Sequence, residues 1–140
     1  MPGKNLEAAQ RWLASADNNR AHADQWFTNA GVAILPVGKV WDAIRVDKPL
    51  AGYVLAAQLP GPVIRDGEDH YFLVAPGSAS RWTTPGSQAL GPACYVAVPA
   101  PEHTKGPGIY WVQPPDGSGL LVDSERLAAL VQEAYGEVTP

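Results

Sequence analysis

Cysteines, clustered cations and long apolar runs are all scarce in this chain of 140 residues. The lone cysteine, Cys94, cannot form an internal disulfide, and it excludes a zinc site built from several cysteines. Ten Lys and Arg residues stand singly between Lys4 and Arg126, against fourteen Asp and Glu, and the net charge is -4. Because proteins bind duplex nucleic acid mainly through clustered cations, this pattern disfavours generic duplex binding.

No apolar run approaches the roughly 18 residues that a membrane-spanning helix needs. The first residues, Met1 to Asn5, lead into a segment of alternating polarity and not into the apolar core of a signal peptide. We therefore expect a soluble, cytoplasmic protein with no membrane partner. The length and the hydrophobic fraction of 46% predict one globular domain over residues 1–140.

Three short runs rich in β-branched and aromatic residues stand out, and each ends within two residues of a proline. Such residues favour strands, whereas proline has no N–H to donate to a strand ladder. We therefore predict that the three runs form a central sheet within a core of strands over residues 32–112. The runs are His70–Ala75, Tyr95–Val98 and Ile109–Val112.

Apolar spacings of three and four predict helices at both ends of the chain. Residues 5–30 are predicted to form one bent helix or two, because Asp17–Asn19 interrupts the pattern and Gly31 follows as a stop. A helix is also predicted over 49–58. The last helix is predicted over 123–135, with Asp123 as its cap and Gly136 at its end.

The pair Asp66-Gly67 between two apolar runs predicts a β-hairpin. Together with the helices, this hairpin indicates an α+β fold. We expect a single compact domain with a mixed, largely antiparallel sheet, flanked by the N- and C-terminal helices.

Asp66, Glu68 and His70 form the most chemically suggestive group. Two carboxylates spaced by one residue can hold divalent metal ions for phosphoryl transfer when both project from one strand face, and a histidine can add a ligand. The structural alternative is that the acids are solvated residues of a tight turn, and that His70 bonds to the backbone at a strand end.

Two other groups have a simpler structural interpretation. Aromatic rings can stack on nucleobases, but core and sheet-face packing explain the aromatic residues of this chain more simply. These residues are Trp41, Tyr71, Trp82, Tyr95, Tyr110 and Trp111. Glu102, His103 and Lys105 share a segment that is predicted to be a polar surface loop.

The order of the strand motifs resembles the N-terminal domain of the bifunctional DNA primase/polymerase family, within the archaeo-eukaryotic primase superfamily. The resemblance extends over residues 20–135 and depends on four segments in order. They are Gly31–Val37, His70–Pro76, Tyr95–Pro99 and Tyr110-Trp111 followed by Pro114-Pro115.

The resemblance implies a two-metal polymerase site, but most of its parts are missing here. Only His70 matches the histidine of the family. The early paired acids are absent, because Asp42 and Asp47 are not paired on one strand face, and Ser87–Leu90 offers no third acid. Two Mg²⁺ ions need several carboxylate oxygens. We therefore expect no polymerase chemistry, no cofactor and no enzymatic activity.

The leading expectation is a non-catalytic binding or regulatory module on a shortened, degenerate scaffold of this type. Its cleft is predicted to bind a nucleotide, single-stranded nucleic acid or a partner segment. The candidate ligand-binding residues are Arg65, His70, Tyr71, Arg81 and Trp82. The alternative is a protein-interaction domain that forms a homodimer through a sheet edge or the apolar surface around Trp41. A divalent-metal phosphotransferase that uses Asp66, Glu68 and His70 is the third.

Overall fold

The chain alternates helices with short strands, and the computed structural model describes residues 2–138, with the side chains of residues 6–137. The helices are α1 (Pro2–Ala14), α2 (Arg20–Ala30), α3 (Lys48–Ala56) and α4 (Ser124–Val138). The strands are β1 (Val32–Pro36), β2 (Asp42–Asp47), β3 (Val63–Asp66), β4 (Asp69–Val74), β5 (Ser87–Leu90), β6 (Tyr95–Pro99) and β7 (Tyr110–Gln113). A 3₁₀ turn, Ala79–Arg81, lies between β4 and β5.

The N-terminal helical region is divided in two, and local signals set the division. The side chain of Asn19 caps α2 by accepting a hydrogen bond from the backbone N–H of His22 at 3.2 Å. Gly31 ends α2 with a φ of 72°, and its N–H donates to the carbonyl of Phe27. The predicted stop at Gly31 is confirmed.

Five strands form the larger sheet, in the order β5-β2-β4-β3-β7, and all neighbours are antiparallel. The predicted hairpin is confirmed, since β3 and β4 are joined through Gly67 and Glu68, with Asp66 paired to Asp69. Gly67 has a φ of 63°, which glycine adopts without strain. One isolated parallel bridge, between Val74 and Val122, makes the sheet region mixed.

The placement of Tyr95–Val98 in the central sheet was wrong. These residues belong to β6, which pairs with β1 in a separate two-stranded antiparallel sheet. Backbone hydrogen bonds extend this pairing at both ends, from Val37 N–H to Cys94 and from Ala100 N–H to Gly31, at 2.9 and 2.8 Å. The strand was predictable from its residues, whereas its partner was not.

Several element ends also differ from the predictions. The last helix continues through Gly136 to Val138, because an exposed glycine in a helix costs only about 1 kcal/mol and does not have to end it. The third helix begins at Lys48 and ends at Ala56, and Ser87–Leu90 is a strand in its own right. Asp123 caps the last helix as predicted, since its Oδ1 accepts from the N–H groups of Glu125 and Arg126.

The five-stranded sheet separates two apolar cores within one α+β domain. On one side, the sheet packs on α1, α2 and the inner face of β1 and β6, around fully buried residues such as Leu13, Leu35 and Trp41. On the other side, it packs on α3 and α4, around Ile44, Phe72 and Leu127. No helix within residues 2–138 is both long enough and apolar enough to cross a bilayer.

Candidate functional site

Arg65 and His70 lie side by side on the face of the large sheet that is turned toward α3 and α4. They are directly paired residues of β3 and β4, and Tyr110 of β7 lies opposite Arg65 on its other side. Arg65 Nη1 donates a hydrogen bond to the hydroxyl of Tyr110 at 3.1 Å, and Arg65 Nε donates to the carbonyl of Gly67 at 3.3 Å. The guanidinium is therefore held in place beside the imidazole.

His70 is 5% exposed, and its Nδ1 is buried without a hydrogen-bond partner in the described part of the protein. Burial above all, and then the positive charge of Arg65, lowers the pKa of His70; Asp69 opposes this shift and Lys48 adds to it. The imidazole is therefore neutral at pH 7. A neutral ring can donate or accept one hydrogen bond at each nitrogen, so the capacity of Nδ1 is unused among the described residues, at a position closed to solvent.

Tyr71 does not join His70, although the two were grouped as candidate residues. Consecutive residues of a strand point to opposite faces. Tyr71 accordingly packs against the core on the α1 and α2 side, where its register neighbours are Arg45 and Ile64. Burial, and then the charges of Asp69 and Asp66, raises the pKa of Tyr71, so its hydroxyl stays protonated at neutral pH.

Arg81 and Trp82 line a separate cavity of about 240 Å³ between the 3₁₀ turn and the start of α4. Trp82 Nε1 donates to Ser87 Oγ at 2.8 Å, and Ser87 is paired to Val46, which is in turn paired to His70. Two strand spacings, roughly 10 Å, therefore separate Ser87 on β5 from His70 on β4. The structure places Trp82 on the same side of the sheet as Arg65 and His70, but away from them.

The acids of the predicted metal group do not converge on His70. Asp66 alternates with Arg65 along β3 and so lies on the opposite face from the imidazole, whereas Glu68 is exposed in the hairpin turn. Asp69 pairs with Arg45 at 3.6 Å on the Tyr71 side. Within the described residues, no group of three or more His, Cys, Asp or Glu could hold a metal ion.

Asp42 has a structural position that the sequence did not reveal. It is fully buried, and its Oδ2 accepts hydrogen bonds from the N–H groups of Gly77 and Ala79, both at 2.9 Å. It lies four residues along β2 from Val46, the partner of His70, which is roughly 13 Å. Asp42 therefore fixes the turn after β4 and is remote from the imidazole.

The aromatic residues are divided between the core and the surface. Trp41 and Trp111 are fully buried, and Trp111 Nε1 donates to the carbonyl of Pro99 at 2.8 Å. The surface around Trp41 is therefore not available to a partner. In contrast, Tyr95 is 65% exposed on β6.

The outward side of the β1–β6 pair is an exposed apolar surface that the sequence analysis missed, and we call it the outer face. Ala33 and Leu35 of β1 point into the core, so the alternate residues of both strands point outward. The outward residues are Val32, Ile34, Pro36, Tyr95 and Ala97, whereas Pro99 at the end of β6 is buried. Ile34 is 53% exposed, and none of the five residues is charged. The uninterrupted apolar run Val32–Val37 was the available signal, since a strand with one solvated face normally alternates with polar residues.

Comparisons of the chain with protein-family models, with curated proteins and with solved structures find no match. The resemblance to primase/polymerase domains thus stays a prediction from the strand motifs alone.

Proposed function

We propose that this domain is a non-catalytic interaction module that self-associates through the outer face. The observation that carries the proposal is the exposure of Ile34 and Tyr95, 53% and 65%, on a face made only of apolar residues. A contiguous exposed apolar surface of this kind is typical of protein-interaction sites. A second copy of the chain presents the same surface, and a two-fold axis lets one face cover the other.

The edges of the β1–β6 pair are less suited to pairing than its face. Since Val37 N–H donates to the carbonyl of Cys94, the alternate residue Pro36 has its nitrogen directed away from β6, toward the free edge of β1. The same alternation directs the nitrogen of Pro99 away from β1, toward the edge of β6 where Trp111 Nε1 already bonds to the Pro99 carbonyl. Proline has no N–H to donate, and natural sheets use it to block edge pairing. The favoured association is therefore face to face.

The size of the outer face limits the strength of the dimer. A five-residue strand extends about 17 Å, so a two-strand face measures about 17 Å by 10 Å. Specific stable interfaces bury about 800 Å² on each partner. We therefore expect a reversible dimer with a Kd in the micromolar range or weaker.

Charge sets the salt dependence of this association. Each copy has a net charge of -4, and the outer face itself carries none. The two copies repel each other at a distance, and salt screens this repulsion. The dimer should therefore strengthen between about 20 and 300 mM salt, a range over which the Debye length falls severalfold.

Sedimentation velocity over a hundredfold range of micromolar concentrations tests the proposal. The wild-type protein should shift from monomer toward dimer, and Ile34→Lys or Tyr95→Lys should stay monomeric, because two buried lysines would face each other. Leu120→Lys is the matched control, since Leu120 is 50% exposed but lies outside the outer face. A wild-type protein that stays monomeric throughout, or a dimer that both variants retain, overturns the proposal.

A second candidate function is the binding of a nucleotide or single-stranded nucleic acid beside Arg65 and His70. The guanidinium of Arg65, held beside the neutral imidazole of His70, favours it, because a cation suits a phosphate. Titration of labelled oligonucleotides and nucleotides at low and moderate salt tests it. Binding should weaken with salt, opposite to the dimer, and should be reduced in Arg65→Ala but not in the exposed control Arg126→Ala. Absence of binding at both salt concentrations excludes this candidate.

A further inference from the structure

A groove beside the N-terminal helix is formed by two adjoining cavities, and we call it the α1 groove. One cavity, of about 290 Å³, lies between α1 and α2, and the other, of about 480 Å³, lies between α1 and the loops that follow β6 and β7. Leu6 and Glu102 line both cavities, so the two are continuous. The combined space is within the range of 300–1,000 Å³ that binding sites for ligands usually occupy. The groove shares no residue with the outer face.

The floor of the groove is apolar and stiff. Leu6 is 39% exposed there, and Pro101, Pro114 and Pro115 line the larger cavity. Proline rings have a fixed backbone angle φ, so little conformational entropy is lost when a partner covers them. Such a floor suits the aliphatic side chains of an extended segment.

The rim of the groove is acidic. Glu7, Asp24, Glu102 and Asp116 line the two cavities, whereas Arg11 is the one cation among the described lining residues. Among the side chains described, residues 6–137, none of these four carboxylates forms an ion pair. They therefore attract a cationic partner without losing an existing salt bridge.

Asp116 is also preorganised as an anion. Its Oδ1 accepts hydrogen bonds from the N–H of Ser118 at 2.8 Å and from the hydroxyl of Ser118 at 2.5 Å. These bonds lower the pKa of Asp116, so the carboxylate keeps its charge at neutral and mildly acidic pH.

We propose that the α1 groove binds a short basic segment of a partner protein, with aliphatic residues on Leu6 and the prolines and with Lys or Arg side chains opposite Glu102 and Asp116. Charge complementarity selects this occupant. Another copy of this acidic chain would bring like charges to the rim, and an anionic ligand would meet four carboxylates. The interaction is separate from self-association and does not require it.

Fluorescence anisotropy with a labelled eight-residue peptide of alternating Lys and Leu around one central Pro tests the proposal. The acidic counterpart, with Glu at each Lys position, serves as the second probe. The basic peptide should bind and the acidic one should not. Affinity for the basic peptide should fall as salt rises, because the rim charges are exposed and screened.

Variants of the groove locate the binding. The double variant Glu102→Gln/Asp116→Asn should lower the affinity roughly fourfold to twenty-fivefold, since each exposed charge is worth roughly twofold to fivefold. Leu6→Ser should lower it about tenfold through the loss of apolar burial. The matched control Glu68→Gln/Glu125→Gln removes the same charge outside the groove, and it should change the affinity less than twofold.

Thermal unfolding of each variant shows whether it is folded before its affinity is compared. Equal weakening by the groove variant and by its control would mean that the peptide senses only the net charge, and this result overturns the proposal. So does the absence of binding by the wild-type protein at millimolar peptide in low salt. Peptide binding is measured at protein concentrations where the chain is monomeric. A negative result for the peptide therefore does not bear on the dimer, and a negative result for the dimer does not bear on the peptide.

Discussion

His70 lies directly opposite Arg65 in the β3–β4 ladder, so a buried imidazole whose Nδ1 has no partner among the described residues shares one sheet face with a guanidinium. Both a low-dielectric surrounding and a nearby cation disfavour the charged form of the ring. The stability of the fold should therefore depend on pH through His70.

Stability should fall as the pH decreases through the pKa that His70 has in the folded protein. That pKa lies below the unfolded value of about 6.5, so the unfolded chain binds more protons between the two values. The contribution of His70 to the free energy of unfolding is fully present above about pH 6.5 and is lost as the pH falls through the folded-state pKa. Urea unfolding at several pH values between about 5 and 7 should show a shallower pH dependence for His70→Gln than for the wild type.

The control for this experiment is His103→Gln, which replaces an exposed histidine in the segment after β6. An unchanged slope in His70→Gln would contradict the prediction. Because carboxylates titrate in the same pH range, the informative quantity is the difference between variant and wild type at each pH.

Removing the carboxylate of Asp42 should destabilise the fold strongly. In Asp42→Ala, the N–H groups of Gly77 and Ala79 lose the acceptor that the buried carboxylate gives them, and we expect a loss of about 3 kcal/mol in the free energy of unfolding. Asp42→Asn keeps one oxygen acceptor, so its loss should be about half as large. Chemical denaturation measures both values, and an Ala variant within about 0.5 kcal/mol of the wild type would disprove the assigned role.

Gly31→Ala should destabilise the protein for two separable reasons. The φ of 72° disfavours any residue with a Cβ, at a cost of about 1–2 kcal/mol. The added Cβ would also lie 2.5 Å from Cε1 of His103. In a His103→Ala background, Gly31→Ala should cost only the backbone term. The free energies of unfolding of the wild type, the two single variants and the double variant therefore separate backbone strain from steric overlap. If Gly31→Ala lowers the free energy of unfolding equally in both backgrounds, the side chain of His103 moves aside without a loss of stability.

Trp111→Phe should weaken the connection between the two sheets. The variant loses the buried hydrogen bond from Nε1 to the carbonyl of Pro99, and we expect a cost of about 1–3 kcal/mol. Trp26→Phe is the matched control, because Trp26 Nε1 donates to His22 on the exposed surface, where the loss should stay within about 0.5 kcal/mol. Equal costs for the two variants would contradict the assigned role of the buried bond.

Local signals accounted for most of the elements and for the α+β class. The stop at Gly31, the cap at Asp123 and the hairpin around Gly67 each depend on residues that are neighbours in sequence. The pairing of β6 with β1 depends on residues about sixty positions apart, and strand propensity contains no information on such partners.

The candidate site was less predictable, for two different reasons. The separation of Tyr71 from His70 follows from strand alternation and could have been predicted from the sequence. The burial of Asp42 was not, since its hydrogen-bond partners, Gly77 and Ala79, lie 35 and 37 positions further along the chain.

The β1–β6 pairing also has a consequence for how the chain folds. Between its two strands lie four of the five strands of the larger sheet, so the closing contact spans nearly half of the chain. Closing so long a loop costs entropy before any bond is gained, and contacts of this separation slow folding. During synthesis, β1 leaves the ribosome well before β6 does, and its apolar residues remain uncovered in the interval. A nascent chain halted before Tyr95 should therefore be a better substrate for holdase chaperones than one halted after Trp111.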